Sequence, residues 1–387
     1  MGRGKVPADW PPITVGEAAR VLANYPDLGL LSALNWRSPR PLSAAALVAT
    51  GAGPVFIKRH HRRVRSAAAL HEEHDFAAHL RSQRVSVPRV LRNRLGRSVV
   101  EEGEWVYEVH EAATGLDAYR DVLSWEPYRY PEQARSAGAA LARLHRAAAG
   151  YGGPKRTPSV LSSSDDLVRA DDPQEALDAL VQARPPLAAA LSRWPWRADC
   201  ASVLWPALAG AAAALARVES QWGHGDWHPS NLTWSGQGAE ATVVSVMDLG
   251  LSNRTSAVHD VAVALERAMI GWLDLEETGE ATVDFAATRA LLEGYLAVRP
   301  LDEAEAAALV AVLPVVHVDF ALSEVEYFSA VVRSPGNAEL AYRGYLLGHA
   351  QWFATARSAQ VLLESISSAT AAVALPHDKV TPAPPWP

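Results

Sequence analysis

From Gly115 onward the chain reads as one helix after another, and that run is interrupted between Gln221 and Arg254. There a polar, turn-rich stretch leads into Ala241-Thr-Val-Val-Ser-Val-Met247, an apolar β-branched segment with the character of a strand. On either side, helical periodicity is expected over 132–149, 172–183, 204–220, 257–272, 281–298, 303–332 and 339–365. Pro314 should kink or split the sixth of these, because it removes a backbone donor and clashes with the preceding turn.

The first part of the chain is different. Strand-like runs at 30–36 and 42–50 flank the turn Ser38-Pro39-Arg40-Pro41, and Gly51-Ala52-Gly53-Pro54 turns the chain again before Val55-Phe56-Ile57-Lys58. A helix is expected over 66–81, with Leu70, Glu73, Phe76, Ala77 and Leu80 on one face. Val87-Pro88 ends it and opens a further strand pair, 90–95 and 99–109. A small antiparallel sheet carrying one helix, followed by a larger helical body, is an α+β arrangement. The expected division is an N-terminal lobe over 1–111, a C-terminal lobe over 112–375, and a proline-rich, disordered tail over 376–387.

At 387 residues, with 49% hydrophobic and 20% charged, the chain has the make-up of a soluble globular protein. Its one cysteine, Cys200, excludes an internal disulfide framework and fits a reducing, cytoplasmic setting. The first twelve residues lack an apolar core of the kind a signal peptide needs, and the most apolar run, 207–216, is too short to cross a bilayer. No membrane partner is therefore expected. The net charge of −7 hides an asymmetry. Residues 1–100 carry sixteen Lys/Arg against six Asp/Glu, and residues 257–334 carry four against fourteen. Either these are two solvated faces, or the first part meets a polyanion and the second a cation.

The strongest chemical signal lies inside the interruption, at His224-Gly-Asp-Trp-His-Pro-Ser-Asn231. Asp226 and Asn231 stand five apart in a loop that Pro229 keeps from being helical, and Asp248 follows Asn231 by seventeen residues at the end of a strand. Phosphoryl transfer needs a carboxylate to orient the attacking hydroxyl, oxygen ligands for Mg²⁺ and cations for the phosphates. Asp226, Asn231 and Asp248 offer the first two in the order and spacing that kinases use. Upstream, Lys58 ends an apolar strand and Glu73 follows fifteen residues later on the next helix, a pair suited to holding phosphate, with Glu72 as a competing partner. A zinc cluster of His224, Asp226, His228 and Asp248 is the competing reading of the loop.

These residues, with Val87-Pro-Arg-Val90 and Ala142-Arg-Leu-His145, make the sequence resemble the aminoglycoside phosphotransferase/choline kinase-like superfamily over roughly residues 30–350. Members of that superfamily have a protein-kinase-like, two-lobed fold. The resemblance implies Asp226 as catalytic base and His224 beside it as a residue that holds the loop. It implies Asn231 and Asp248 as ligands of Mg²⁺, Lys58 on the phosphates and Glu73 positioning Lys58. Backbone groups of the linker at Glu111–Ala113 would meet the purine of ATP or GTP, and Asp260 would brace the loop. No glycine-rich loop stands between the first two strands, where Ser38-Pro39-Arg40-Pro41 is found, and no activation segment follows Gly250. Both departures point away from a protein substrate.

The acceptor expected is a small molecule, with Asp319, Glu324, Glu326 and Tyr327 as contacts for a cationic group, while Trp272, Trp352 and Phe353 either line an apolar part of the pocket or pack in the core. An antibiotic or metabolite bearing an amine fits the acidic span. A homoserine-kinase-type or stress-response-type kinase is the alternative, and a nucleotide-binding pseudoenzyme is a third reading. The run Arg59-His-His-Arg-Arg-Val-Arg65 could hold polyphosphate or be a solvated loop. No nucleic-acid partner is expected, because no RNA-binding signature or interleaved aromatic residues accompany it.

Overall fold

A computed structural model describes residues 8–40, 42, 44–122, 124–156 and 160–371. The proline-rich stretch 376–387 lies outside the described residues. Five strands form one antiparallel sheet: β1 (Leu31–Arg37), β2 (Ala44–Thr50), β3 (Gly53–His61), β4 (Val99–Glu102) and β5 (Trp105–Glu111), in the order β1-β2-β3-β5-β4. Lys58 on β3 sits opposite Ala45 of β2 and Glu108 of β5. Because side chains alternate along a strand, Lys58, His60, Glu108 and His110 share one face and Ile57, Tyr107 and Val109 the other.

A helix covers each face. α1 (Val15–Leu22) packs Ala18, Val21 and Leu22 on Val48, Ile57, Tyr107 and Val109. Its capping box, Thr14 and Glu17, satisfies two backbone donors at the first turn. Glu17 also reaches the sheet, accepting from Arg59 at 2.6 Å and from the Tyr107 hydroxyl at 2.8 Å. α2 (Ala67–Ser82), capped by Ser66, lies on the opposite face and buries Leu70, Glu73, His74, Phe76, Ala77 and Leu80.

The chain then becomes helical. α3 (Pro131–Ala148) and the helix Phe285–Leu296 touch backbone to backbone, since a Cβ on Gly138 would lie 2.0 Å from the Leu291 carbonyl oxygen. Short strands at Leu232–Trp234 and Val243–Val246 form a hairpin inside this body and carry the loop that precedes them. The result is an α+β, kinase-like fold.

Several elements differ from the sequence expectation. Residues 91–95 are a loop, joined to the sheet where Val90 bridges His110 and where Asn93 Nδ2 donates to the Val99 carbonyl. Asn93 accepts from the backbone of Leu95 and Arg97 and turns the chain before a strand can form. The strand expected over 99–109 is a hairpin, turned at Gly103 with φ +61°. Pro314 does split its helix, giving Glu303–Val312 and Val318–Glu326 around a tight turn. The stretch Glu303–Val331 is long and apolar enough to cross a membrane by length and composition, yet it is mostly buried in the fold, with Leu309, Val312, Leu313 and Val315 fully inside.

Candidate active site

The loop 224–231 is held from below by one carboxylate. Asp260, at the start of the helix Ala257–Met269, accepts from the His224 N–H at 2.6 Å, the Gly225 N–H at 2.7 Å and His145 Nε2 at 2.9 Å. Tyr295 donates to the other nitrogen of His145, at 2.8 Å. Asp260 is fully buried; burial alone favours its neutral form, but His145 and His224 outweigh it and keep the carboxyl ionised. Gly225 is required here. Its φ is +76°, and a Cβ would stand 2.2 Å from the Leu251 carbonyl oxygen.

His224 does not face the reacting groups. Its Nε2–H donates to the Met247 carbonyl at 2.9 Å, and its Nδ1 accepts from the Asp226 N–H at 3.2 Å. Both ring nitrogens are spent joining the loop to the strand before Asp248, which removes His224 from any zinc set. His228 points its Nδ1 at the Ser230 hydroxyl, 2.9 Å away.

Asp226 is a shared acceptor. Asn231 Nδ2 donates to its Oδ2 at 3.0 Å and to its backbone carbonyl at 2.9 Å. Arg267 Nη2 donates to its Oδ1 at 2.6 Å. Burial pushes the Asp226 carboxyl up, but Arg267 and His228 together hold it well below the usual carboxylate range. Arg267 is itself stacked over Trp125, 4.2 Å from the ring centre. Sequence reasoning missed Arg267, although a signal existed. It follows Asp260 by seven residues on one helix, two turns along the face that meets the loop.

Asp248 takes a left-handed backbone, φ +54° and ψ +73°, uncommon for a residue with a side chain. Its Oδ1 accepts from Lys58 Nζ at 2.7 Å and from the Gly250 N–H at 3.3 Å. Burial works against both charges, yet each group sustains the other. Lys58 stays an ammonium, with Asp248, Glu108 and Glu73 supporting it, and Asp248 falls below its ordinary range. The expected Lys58–Glu73 pair is not in contact. Three carboxylates surround one ammonium, and Asp248 holds it, while Glu73 lies 3.8 Å from Arg156 Nη2. Glu72, the competing partner, is also beside Arg156, at 3.6 Å.

Behind Lys58 the buried carboxylate of Glu108 takes three imidazoles: His60 at 2.8 Å, His74 at 2.7 Å and His110 at 2.8 Å. His74, Glu108 and His110 have ligand-type atoms close enough to suggest a metal. The separations are those of hydrogen bonds, however, and His74 uses its second nitrogen on Ser98. This network ties α2 to β3 and β5 and fixes the strand that carries Lys58.

The basic run at 59–65 is absorbed by the fold. Arg59 pairs with Glu17, and Arg65 donates to the carbonyls of Leu161 at 2.6 Å and Gly250 at 2.8 Å, supporting the segment after Asp248. Arg62 and Arg63 alone remain exposed. The Glu111 N–H is used by the Arg89 carbonyl at 2.9 Å, and its carboxylate by the Arg89 guanidinium at 2.6 Å. Neither Glu111 nor Ala113 lines the main cavity.

That cavity, about 510 Å³, is lined by Lys58, Asp226, Asp248, Arg267 and, from the turn between β1 and β2, Arg40. Arg40 Nη1 donates to Ser124 Oγ at 3.0 Å, joining that turn to the segment beyond the linker. Of the four acceptor contacts expected from the sequence, Glu324 alone lines the cavity. Asp319 is buried beside Leu167, Glu326 pairs with Arg184 at 2.7 Å, and Tyr327 donates to Asp9 at 2.9 Å. Trp272 lines the cavity, whereas Trp352 and Phe353 are core. Much of the acidic excess of 257–334 is thus committed to internal partners, Asp260 to His145 and Glu266 to His349 among them.

A family model described as the phosphotransferase enzyme family matches residues 42–301, more than half of the chain, with Lys58, Asp226, Asn231, Asp248 and Arg267 inside the match. The chain belongs to that family. A curated relative, the homoserine kinase of Gluconacetobacter diazotrophicus, is 28% identical over 200 residues, covering 49% of this chain and 52% of its own. The match therefore spans about half the length of that relative. Two solved structures share the fold. A microcompartment-associated aminopropanol kinase has a TM-score of 0.52 at 18% identity, covering 92% of this chain and 99% of its own. An amicoumacin kinase in complex with AMP-PNP, Ca²⁺ and Ami has a TM-score of 0.52 at 13% identity, covering 85% and 91%. Within the family frame, the donor set at the cleft suits a hard divalent cation. Asp248 supplies a carboxylate, and Asn231, its nitrogen spent on Asp226, has the amide oxygen left.

Proposed function

We propose that the protein is a kinase that transfers the γ-phosphate of ATP or GTP to a hydroxyl of an amine-bearing small molecule, an antibiotic or a metabolite. The observation that carries this reading is the convergence of Lys58, Asp226, Asp248 and Arg267 on one cavity, with Asp226 held ionised. The acceptor oxygen attacks the γ-phosphorus, the bond to the β-phosphate oxygen breaks, and the hydroxyl proton passes to Asp226. Lys58 neutralises phosphate charge. Asn231 and Asp248 would hold Mg²⁺, which supplies charge neutralisation to the phosphates when bound. Arg40 takes the place of backbone donors from a glycine-rich loop, lending a guanidinium to the polyphosphate from the turn between β1 and β2. The amicoumacin kinase, whose complex contains a triphosphate analogue and a divalent cation, supports this assignment of the cleft.

The test is a panel of amino alcohols, aminoglycosides, other amine-bearing antibiotics and sugars, each incubated with ATP or GTP and Mg²⁺ and read by mass shift. A gain of one phosphoryl group that Asp226→Asn suppresses about 10²–10⁴-fold is the expected result. A panel member turned over equally by Asp226→Asn would remove Asp226 from the reaction. A homoserine-type acceptor is the second reading, favoured by the 28% identity to the homoserine kinase, and homoserine belongs in the panel.

A further inference from the structure

The cavity, about 510 Å³ including the part beside Lys58 and Asp248, continues past Asp226 into the helical body. Beyond Asp226 its walls are Trp125, Trp272, Leu273, Phe320, Phe328 and Tyr345. Such walls reward apolar surface and penalise any polar group brought against them without a partner. Carboxylates are few there. Asp9 already accepts from Tyr327, and Asp121 is exposed. Glu324 is 2% exposed, and its Oε2 has no hydrogen-bond partner among the described residues. Among those residues the cation acting on it is Arg267, which is occupied by Asp226 and Trp125. A buried carboxylate oxygen left without a donor, on the wall of an apolar cavity, is a receptor for one donor from outside.

From this we infer that the acceptor is an alcohol with a bulky apolar body and a single basic nitrogen, the nitrogen bound by Glu324 and the body packed on Trp272 and Phe320. The hydroxyl is then presented to Asp226, and that last element rests on the kinase reading. A polycationic sugar would bring several ammonium groups against aromatic walls on which Glu324 is the buried carboxylate with a free oxygen, so those placed on the aromatic surface would be desolvated without compensation. A small zwitterion such as homoserine would leave most of the apolar wall uncovered.

Calorimetric titration of the protein with AMP-PNP and Mg²⁺ present tests the inference. The probes are alprenolol (an aryl ether with one hydroxyl and one amine), kanamycin, homoserine, and an alprenolol analogue with carbon in place of nitrogen. Alprenolol should bind at least about tenfold more tightly than kanamycin or homoserine, with a negative heat-capacity change. The nitrogen-free analogue should bind about tenfold more weakly than alprenolol, and Glu324→Gln should remove that difference while leaving AMP-PNP affinity within about threefold. The analogue makes the comparison on the unaltered protein, so the result stands even if the variant fails to fold. Tighter binding of kanamycin or homoserine, or equal binding of the two aryl ethers, overturns the inference. Failure of AMP-PNP to bind would instead remove the kinase reading, while the probes still report on the cavity.

Discussion

Arg267 Nη2 stands 2.6 Å from Asp226 Oδ1, and the same guanidinium lies over the Trp125 ring, 4.2 Å from its centre. The base of the proposed reaction is therefore paired with a cation whose position is fixed by an aromatic ring. The pair does two opposite things for a proton acceptor. It keeps Asp226 ionised at acid pH, and it weakens the carboxylate as a base.

Replacing Arg267 should separate these effects. In Arg267→Met the Asp226 carboxyl loses its main cation, and its pKa rises back toward the ordinary carboxylate range. The acid limb of the kcat/KM profile should move to higher pH, and Arg267→Lys should restore most of the wild-type position. An unmoved acid limb in Arg267→Met would mean that Arg267 acts on the fold or the acceptor and not on Asp226.

Asp248→Ala should abolish Mg²⁺-dependent nucleotide binding, because the same carboxylate meets Lys58 and belongs to the proposed cation site. Titration of AMP-PNP with and without Mg²⁺ is the measurement. Wild type should show a strong Mg²⁺ dependence, and the variant should show none. A variant with an undiminished Mg²⁺ dependence would exclude Asp248 as a ligand.

Lys58 and Glu73 are not in contact, so their substitutions should be close to additive in thermal stability of the nucleotide-free protein. Lys58 and Asp248 touch, and a double-mutant cycle on them should show a coupling of about 0.5–1 kcal/mol, modest because the Asp248 side chain is 38% exposed. Coupling of Lys58 to Glu73 larger than to Asp248 would reverse the assignment.

The parts of this site that could be read from the sequence are those made by local spacing. Asp226, Asn231 and Asp248 sit in a loop and at a strand end whose turn formers announce irregular backbone, and the fold brings Asp226 and Asp248 to one cavity with Asn231 bonded to Asp226. Asp260 was legible as a brace through the family resemblance, whereas His145 was only part of the motif that carried it. What was hidden depends on pairing across the chain. Arg267 looks like any helical arginine until the helix is docked on the loop. Sequence places Glu73 on the correct face of α2 but cannot say that Arg156 is its neighbour and that Asp248 takes Lys58. α1 escaped because eight residues give little period, although Thr14 and Glu17 carried its capping signature. The acidic span shows the same limit. A count of charges sees an excess, whereas the folded chain shows most of it engaged and one carboxylate, Glu324, on the cavity wall.

Asp319 offers a test of that burial that is independent of activity. It is 8% exposed, Asp165 and Asp166 lie near it, and one of its oxygens has no hydrogen-bond partner among the described residues. Burial, reinforced by Asp166 and Asp165 and only weakly opposed by the Leu167 N–H and Lys155, pushes its carboxyl up to about 7 from an ordinary 3.8. The folded protein then holds a proton that the unfolded chain releases above about pH 4, so between the two values the folded state binds more protons. Stability must fall as pH rises through that window, and the favourable contribution present below pH 4 is gone once pH passes 7. The difference is on the order of 4 kcal/mol at pH 8, as an upper figure. Asn cannot ionise and keeps the same shape, so Asp319→Asn should escape the loss. Glu266 and Glu324, each raised to about 7 by burial, share the window and will leave the variant some pH dependence of its own. The quantity to follow is therefore the gap in Tm between the variant and wild type. It should widen in the variant's favour by several degrees from pH 5 to pH 8. A gap that stays constant over that range would show that Asp319 is already ionised at pH 5, and that its burial in the helical core is less complete than the structure describes.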